Sequence, residues 1–512
     1  MTQPFSIGHI DVELTSTGER AEGPPDPDTP FRILLLGDFT RRRGRPAATP
    51  RGDADPVRVD RDNVDDVITR LAPELELDFP GAESGRLALR FRALEDFHPD
   101  HLFEALDVFR TLRSARGRLN DPDAFKAAAA EVRAWMGTDV AAPPRPAPTR
   151  SAEAELSEGQ RVMRELIESS EQRGTAGTRS DEGWRSFVRG IVAPHLVARE
   201  DPQRPALLAA VDRASAAAMR AVLHHPDFQA LESAWRAVDF LVRRLETGTE
   251  LQLYLLDLPR ADLAAAVEDS DGSRARALHR ILVEAAAGTL GGVPWAVVAG
   301  NYTFGPGPKD VAALEMMARL AREAGAPFVA AASPRLVGSD SLAATPDPHD
   351  WRRADDAETA GWRKLRTSAD VAHVGLALPR FLLRLPYGKD SDPLETFAFE
   401  ELPASPAHDH YLWGNPAFAC VALLGDAFSK QGWALRPGAV QEIADLPLYV
   451  EERDGDRRVK PCAETLLTVR AAEIILERGL MPLLSFKDGD VVRLARFQSI
   501  RDPLTSLRGR WR

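Results

Sequence analysis

The chain has 512 residues, more than one hydrophobic core usually organises, so its length predicts two to four domains. Hydrophobic residues make up 44% of it and charged residues 28%. Because no apolar run approaches the roughly 18 residues that span a bilayer, we expect a soluble globular protein without direct membrane insertion. The formal net charge of −12 argues against a protein that coats nucleic acid.

The N-terminus and the cysteines favour a cytoplasmic location. The opening "MTQPFSIGHIDVELTS" has no basic region followed by an apolar segment, so it is not a secretory signal. The cysteines, Cys420 and Cys462, lie far apart and match no metal or redox spacing. We therefore expect a protein of the reducing cytoplasm whose fold does not depend on disulfides.

Residues 5–14 predict a half-buried β-strand, with Gly8 as a candidate bulge. Its apolar positions are Phe5, Ile7, Ile10, Val12 and Leu14. The polar, proline-rich stretch "TSTGERAEGPPDPDTP" separates it from the next strand. Two arrangements remain open: an edge strand of its own domain, or a strand that adds to the sheet of a neighbouring molecule.

The stretch "FRILLLGDFTRRRGRP" combines a buried-strand pattern, Gly37 and an arginine cluster, as a phosphate-binding turn does. It contains neither G-x-x-x-x-G-K-[ST] nor G-x-G-x-x-G, and a proline-broken polar stretch follows where a phosphate-binding helix should begin. No aromatic residue lies among the arginines, as stacking on single-stranded nucleic acid would need. We therefore favour a strand that ends in a solvated loop.

Two helices are predicted next. "DRDNVDDVITRLAPEL" has helical apolar spacing that Pro73 ends, and "EDFHPDHLFEALDVFRTL" places Pro99 at the first helical position. The apolar face of the second consists of Leu102, Phe103, Leu106, Phe109 and Leu112. Residues 1–137, the first part of the chain, are thus predicted to form a small α/β domain.

A proline-rich linker is predicted over residues 138–158, because prolines interrupt hydrogen-bonded ladders and favour extended backbone. These prolines are Pro143, Pro144, Pro146 and Pro148.

Residues 159–500, the second part of the chain, predict a mixed or largely parallel sheet covered by helices. The helix "HHPDFQALESAWRAVDFLVRRL" has an apolar stripe that must pack in a core. The predicted core residues on it are Phe228, Leu231, Trp235 and Val238. Strand-like and helical segments then alternate up to "PLLSF", and residues 501–512 form a basic tail.

A search for catalytic or metal motifs finds no active site. "GNYTFGPGPKD" has glycines after a strand, but Pro306 and Pro308 lack the N–H donors of a phosphate cradle, so a structural turn is favoured. The pairs His98 and His101, and His408 and His410, lack the spacing of a zinc site. There is no G-x-S-x-G and no Cys-His signature. The sequence thus predicts no catalytic residue, no cofactor and no metal.

Several quoted segments resemble the contractile sheath of the bacterial type VI secretion system, in which a small and a large subunit co-assemble. Residues 5–136 resemble the small subunit through "FRILLLGDFTRR", "PVRVDRDNVDDVITRLAPELEL" and "LRFRALEDFHPDHL". Residues 185–500 resemble the large subunit through "HHPDFQALESAWRAVDFLV", "GNYTFG", "APFVAAASPRLVG", "VGLALPRFLLRLPYGKDSDPLETFAFEE" and "HDHYLWGNPAFA". The resemblance implies a fusion of both subunits through the proline linker.

The resemblance also implies a function and partners. Sheath protomers stack as helical rings around an inner tube, exchange β-strands with neighbours, and shorten on firing without consuming nucleotide. The implied protein is not an enzyme. Its expected partners are other copies of itself, the inner tube protein, the baseplate and a AAA+ unfoldase that recycles sheaths. The alternative is a non-contractile scaffold, cap or adaptor of the same apparatus.

Overall fold

A computed structural model describes residues 5–7, 10–12, 25–41, 55–79, 85–136, 204–288, 292–352, 356–403, 405–453 and 456–511. The predicted linker, Leu14 and most of the arginine cluster lie outside these residues.

The described residues form seventeen β-strands. In chain order these are β1 Phe5–Ile7, β2 Ile10–Val12, β3 Phe31–Gly37, β4 Val57–Val59, β5 Glu74–Asp78, β6 Arg86–Arg90, β7 Leu251–Asp257, β8 Trp295–Phe304, β9 Phe328–Ala332, β10 Val374–Leu378, β11 Phe381–Leu382, β12 Trp413–Gly414, β13 Glu442–Ile443, β14 Val450–Arg453, β15 Asp456–Val459, β16 Met481–Ser485 and β17 Val492–Leu494.

The same residues form twelve α-helices, together with a π-helical turn and several short 3₁₀ turns. The α-helices are α1 Val64–Leu71, α2 Pro99–Ala105, α3 Asp107–Asn120, α4 Phe125–Met136, α5 Arg204–Leu223, α6 Pro226–Arg244, α7 Arg260–Glu268, α8 Ser273–His279, α9 Pro308–Ala324, α10 Asp356–Arg366, α11 Pro416–Gln431 and α12 Val469–Glu477.

One nine-stranded sheet organises the fold, in the order β13-β17-β16-β10-β9-β8-β3-β7-β4. Its six central strands, from β7 to β16, run parallel, and the outer strands β4, β13 and β17 pair antiparallel. The fold is therefore mixed α/β, as the alternation of strand-like and helical segments predicts.

Strand β3 belongs to the first part of the chain but lies inside the sheet of the second part. It pairs in parallel with β7, from Phe31 opposite Leu251 to Gly37 opposite Asp257, and with β8 on its other side. β4 of the first part pairs with β7 at the sheet edge. The two parts that the sequence separates thus share one sheet.

The apolar run of β3 explains this central position. Phe31, Ile33 and Leu35 pack in the hydrophobic core on one face of the sheet, and Leu34 and Leu36 pack in the core on the other face. All five side chains are fully buried. A strand that is buried on both faces needs such a continuous apolar run, as parallel strands covered by helices generally do.

The predicted helix that begins at Pro99 is two helices. Leu106 adopts an extended conformation, with φ −87° and ψ 129°, and so ends α2 and precedes α3. The five apolar residues of the predicted face are nevertheless all buried. No proline or glycine marks the break, so tertiary packing overrides the helical pattern here.

The predicted strand over residues 5–14 is a hairpin of two short strands. β1 and β2 pair antiparallel, with Phe5 opposite Val12 and Ile7 opposite Ile10. Gly8, the candidate bulge, lies outside the described residues. Among the described strands, β1 and β2 pair only with each other.

The residues predicted to pack in the core of the second part, Phe228, Leu231, Trp235 and Val238, are fully buried on α6. No helix in the described part of the chain is long and apolar enough to cross a membrane.

The shared sheet predicts that the linker only tethers. Proteolysis between Pro143 and Arg150 should leave the two parts associated. Separating them would break the pairing of β3 with β7 and with β8 and would expose the buried apolar side chains of β3 to water. Size-exclusion chromatography of the nicked protein checks this. Two separate peaks under native conditions would contradict the shared sheet.

Candidate functional site

Polar contacts between the two parts of the chain form the candidate site. We use "the joint" for the contacts that β3, the segment Asp38–Arg41 and Asp100 make with the second part. Its first element is the segment that leaves β3. The backbone N–H of Phe39 donates to Oδ1 of Asp257 at 2.8 Å, and the Thr40 hydroxyl donates to Oδ2 of the same carboxylate at 2.7 Å. Asp257 is the last residue of β7, so it receives the turn after the neighbouring strand.

Trp235 and Asp227 on α6 hold the same segment. The indole N–H of Trp235 donates to the carbonyl of Phe39 at 3.0 Å, and the two rings meet edge to face with centroids 5.6 Å apart. Arg41 forms an ion pair with Asp227 at 3.1 Å. Trp235 therefore joins the two parts as well as filling the core.

The two "HPD" sequences make reciprocal contacts across the joint. In each, residues 98–100 and residues 225–227, the histidine Nδ1 accepts a hydrogen bond from the aspartate backbone N–H and proline occupies the first helical turn, so both are helix starts. The aspartates do more. Asp100 of the first part accepts from the backbone N–H groups of Glu395 and Thr396 at 3.0 and 3.1 Å, whereas Asp227 of the second part binds Arg41.

These bonds change the pKa of Asp100. Burial alone would raise the pKa of this carboxyl, but the hydrogen bonds from Glu395 and Thr396 outweigh burial and lower it. Asp100 is thus held in its charged form at neutral pH.

Aromatic contacts reinforce the joint. Phe31 of β3 stacks on Phe428 of α11 with ring centroids 4.6 Å apart, and Phe103 of α2 stacks on Phe397 at 4.4 Å. Both contacts pair a side chain of the first part with one of the second part. Such pairs contribute about 0.5–1.5 kcal/mol beyond their buried area.

A buried charge cluster lies beside the joint and consists of Glu232, Arg236, Arg384, Tyr387 and Glu401. The guanidinium of Arg384 donates to Glu232 at 2.8 Å and to Glu401 at 2.7 Å. Arg236 donates to Glu232 at 2.6 Å and to the Tyr387 hydroxyl at 2.8 Å. Two carboxylates thus balance two guanidinium groups, which is the condition under which buried charges are tolerated.

The pKa shifts follow from this pairing. Burial alone would raise the pKa of Glu401, but Arg384 outweighs burial and the pKa falls to about 2. Burial disfavours the charged form of Arg384, but Glu232 and Glu401 raise its pKa well above the ordinary value. Arg384 and Glu401 therefore stay ionised throughout the physiological pH range, and the cluster is a structural network.

Two histidines flank the cluster. His224 and His410 stack with centroids 4.3 Å apart and an angle of 6° between ring planes, and Nε2 of His224 lies 3.7 Å from Oε1 of Glu401. Burial, and next the electrostatic influence of His224, lower the pKa of His410 to about 4. Nδ1 of His410 accepts from the backbone N–H of Ala407 at 3.1 Å. His410 is therefore a neutral hydrogen-bond acceptor at neutral pH.

The other residues that the sequence singled out have structural partners. The backbone N–H of Gly305, in the turn after β8, donates to Asp310 at 2.6 Å. His408 bonds Glu464 at 3.0 Å. Within the described residues no group of three or more His, Cys, Asp or Glu side chains could hold a metal.

Sequence reasoning missed the polar residues of the joint and of the cluster. Two signals were available. Glu232 lies four residues after Phe228 and so falls on the apolar stripe of α6, and Arg384 interrupts the apolar run "RFLLRLPYG". A charge at a core position indicates a buried partner, although it does not identify that partner.

Breaking the cluster should strongly destabilise the fold. Arg384→Met leaves Glu232 and Glu401 without their shared partner, so we expect the free energy of unfolding to fall by about 3–5 kcal/mol. The matched control is Arg243→Met, which removes an exposed pair with Asp239 and should cost about 0–1 kcal/mol. Denaturant unfolding measures both, and equal losses would contradict the assignment.

The lowered pKa of His410 predicts that the fold loses stability in acid. Because its folded pKa of about 4 lies below the ordinary 6.5, the unfolded chain binds more protons between these values, and stability falls as pH drops through this window. His410→Gln should flatten the pH dependence of the melting temperature there, whereas exposed His349→Gln should not. Glu401 acts at lower pH, since its pKa is about 2. An unchanged slope in His410→Gln would refute this origin.

Comparisons with known proteins match both parts of the chain. Residues 205–501 match the family described as "EvpB/VC_A0108, tail sheath N-terminal domain". Residues 12–133 match the family described as "Type VI secretion system, VipA, VC_A0107 or Hcp2".

A curated relative matches the second part. It is the "Type VI secretion system sheath protein TssC1" of Pseudomonas aeruginosa, 34% identical over 304 residues. The alignment covers 58% of this chain and 61% of the relative.

The tail-sheath model alone covers more than half of the chain, and the small-subunit model covers the segment that supplies β3. The chain therefore belongs to the type VI secretion sheath family and joins segments of both sheath subunits in one polypeptide.

Proposed function

We propose that this protein is a structural sheath component that assembles with further copies of itself around an inner tube and stores conformational energy for contraction. The observation that carries the proposal is the position of β3. The small-subunit segment completes the sheet of the large-subunit segment, so one polypeptide forms one complete building block. The inner tube protein, the baseplate and a sheath-recycling AAA+ unfoldase are the proposed partners, in the cytoplasm.

The polar sites of the described residues support a structural role. The turns that a nucleotide would use are occupied by the chain's own carboxylates, and the buried charges are balanced by one another. Neither arrangement leaves a charged group free for catalysis at these sites. Energy for contraction would then come from changes in the surface buried between copies, at roughly 25 cal/mol per Å² of apolar area.

Negative-stain microscopy of the purified full chain tests the proposal. Ordered tubes of two lengths support a contractile sheath. Tubes of one length, or isolated rings, support the non-contractile scaffold or adaptor instead. A protein that stays monomeric at high concentration, alone and with the inner tube protein, contradicts self-assembly.

The N-terminal hairpin is the proposed link between copies. Its register pairs Phe5 with Val12 and Ile7 with Ile10, and among the described strands it pairs only with itself. The polar, proline-rich stretch that follows gives it reach toward a neighbour.

Deleting residues 1–15 should therefore leave a folded protein that no longer forms rings or tubes. Val12→Pro should have the same effect, because proline removes a ladder donor. Glu19→Pro, in the proline-rich stretch, is the control and should assemble normally. Circular dichroism and microscopy separate the outcomes. A deletion variant that unfolds, or that assembles as well as the parent, shows that the hairpin is not the link.

A further inference from the structure

The carboxyl edge of the central strands is where α/β sheets bind soluble ligands. Ligands enter the crevice at the point where successive strands are added on opposite sides of the first strand. In this chain that point is β3, with β7 on one side and β8 on the other. The corresponding position in this chain is at the ends of these three strands, Gly37, Asp257 and Phe304.

Carboxylates of the chain itself occupy the anion positions there. An incoming phosphate would be held by backbone N–H groups of the turns after the strands. The N–H of Phe39 is instead bound by Asp257 at 2.8 Å, and the N–H of Gly305 is bound by Asp310 at 2.6 Å. In two separate turns at this edge, a carboxylate of the chain thus binds an N–H group that a phosphate would otherwise bind.

The surroundings fit an internal anion better than a soluble one. Burial, reinforced by the neighbouring carboxylate of Asp38, raises the pKa of both Asp257 and Asp262, and Asp310 forms an ion pair with Arg260. A phosphate at this edge would be repelled by the same carboxylate of Asp38. The single carboxylate of Asp257 adds less charge than a phosphate and is already fixed by β7.

We propose that Asp257 is a built-in ligand, which fills the anion position of the crevice and thereby binds the chain's own segment Asp38–Arg41 across the joint. The crevice serves as an intramolecular peptide-binding site. Phe39 is the buried anchor, the Thr40 hydroxyl is the second donor to Asp257, and Arg41 is the outer contact to Asp227. This role does not depend on whether the chain assembles.

Chemical rescue tests the proposal on the full chain. Asp257→Ala should lower the melting temperature by roughly 5–10 °C, because two hydrogen bonds to a charged group are lost. Acetate or formate at tens of millimolar should restore part of this loss in Asp257→Ala, and chloride at equal ionic strength should not, since only a small carboxylate can replace the missing one.

Further variants and anions serve as controls for the rescue experiment. The parent and Asp262→Ala, an acidic neighbour that does not bind the segment, should respond alike to acetate and chloride. Asp257→Asn should not respond to acetate, because its amide fills the space. The parent should not be stabilised by inorganic phosphate beyond the chloride control. An equal effect of acetate and chloride on Asp257→Ala, or specific stabilisation of the parent by phosphate, overturns the proposal.

A double-mutant cycle covers the case in which Asp257→Ala does not fold. Thr40→Val removes the hydroxyl donor, and Asp257→Asn replaces the charged acceptor by a neutral amide. Both variants are close to isosteric with the native residues and weaken the same hydrogen bond. Their combined loss of melting temperature should therefore be smaller than the sum of the two single losses. Additive losses would show that Asp257 does not bind the segment through Thr40 and would overturn the proposal.

Discussion

Strand β3 is the element on which the rest of the structure depends. It contributes to the hydrophobic cores on both faces of the sheet and donates and accepts backbone hydrogen bonds along both of its edges. Without it, β7 and β8 would each lose a neighbour in the middle of a buried sheet, where water cannot satisfy the exposed N–H and C=O groups. The second part therefore has a continuous central sheet only when the first part supplies this strand.

The polar contacts of the joint make that insertion specific. An apolar strand could slide along its neighbours by two residues and still bury the same kind of surface. Asp257, Asp227 and Asp100 each accept hydrogen bonds or ion pairs from groups at fixed places on the other part, so a shifted strand would leave buried polar groups unpaired. Hydrophobic burial supplies the driving force, and the aspartates select the register.

The central strands of the sheet could be predicted from the sequence because their apolar patterns are strong and proline or glycine lies close to many of their ends, whereas the short outer strands β4, β13 and β17 were not predicted. The mixed α/β class and the burial of Trp235 follow from such patterns. The insertion of β3 could not be predicted, because hydrophobicity shows that a strand is buried and does not show which strands flank it. The break at Leu106 and the roles of Asp257 and Arg384 depend on partners more than a hundred residues away or on tertiary packing.

A block built in this way has consequences for a sheath. Within each chain the two parts share a sheet, the polar contacts of the joint and aromatic contacts, so they cannot separate without breaking a core. In the proposed sheath, a lattice of such blocks would change length through contacts between copies. The N-terminal hairpin, which among the described strands pairs only with itself, is the proposed connection between copies. The proposal therefore assigns the stable block and the connection to separate segments of the chain.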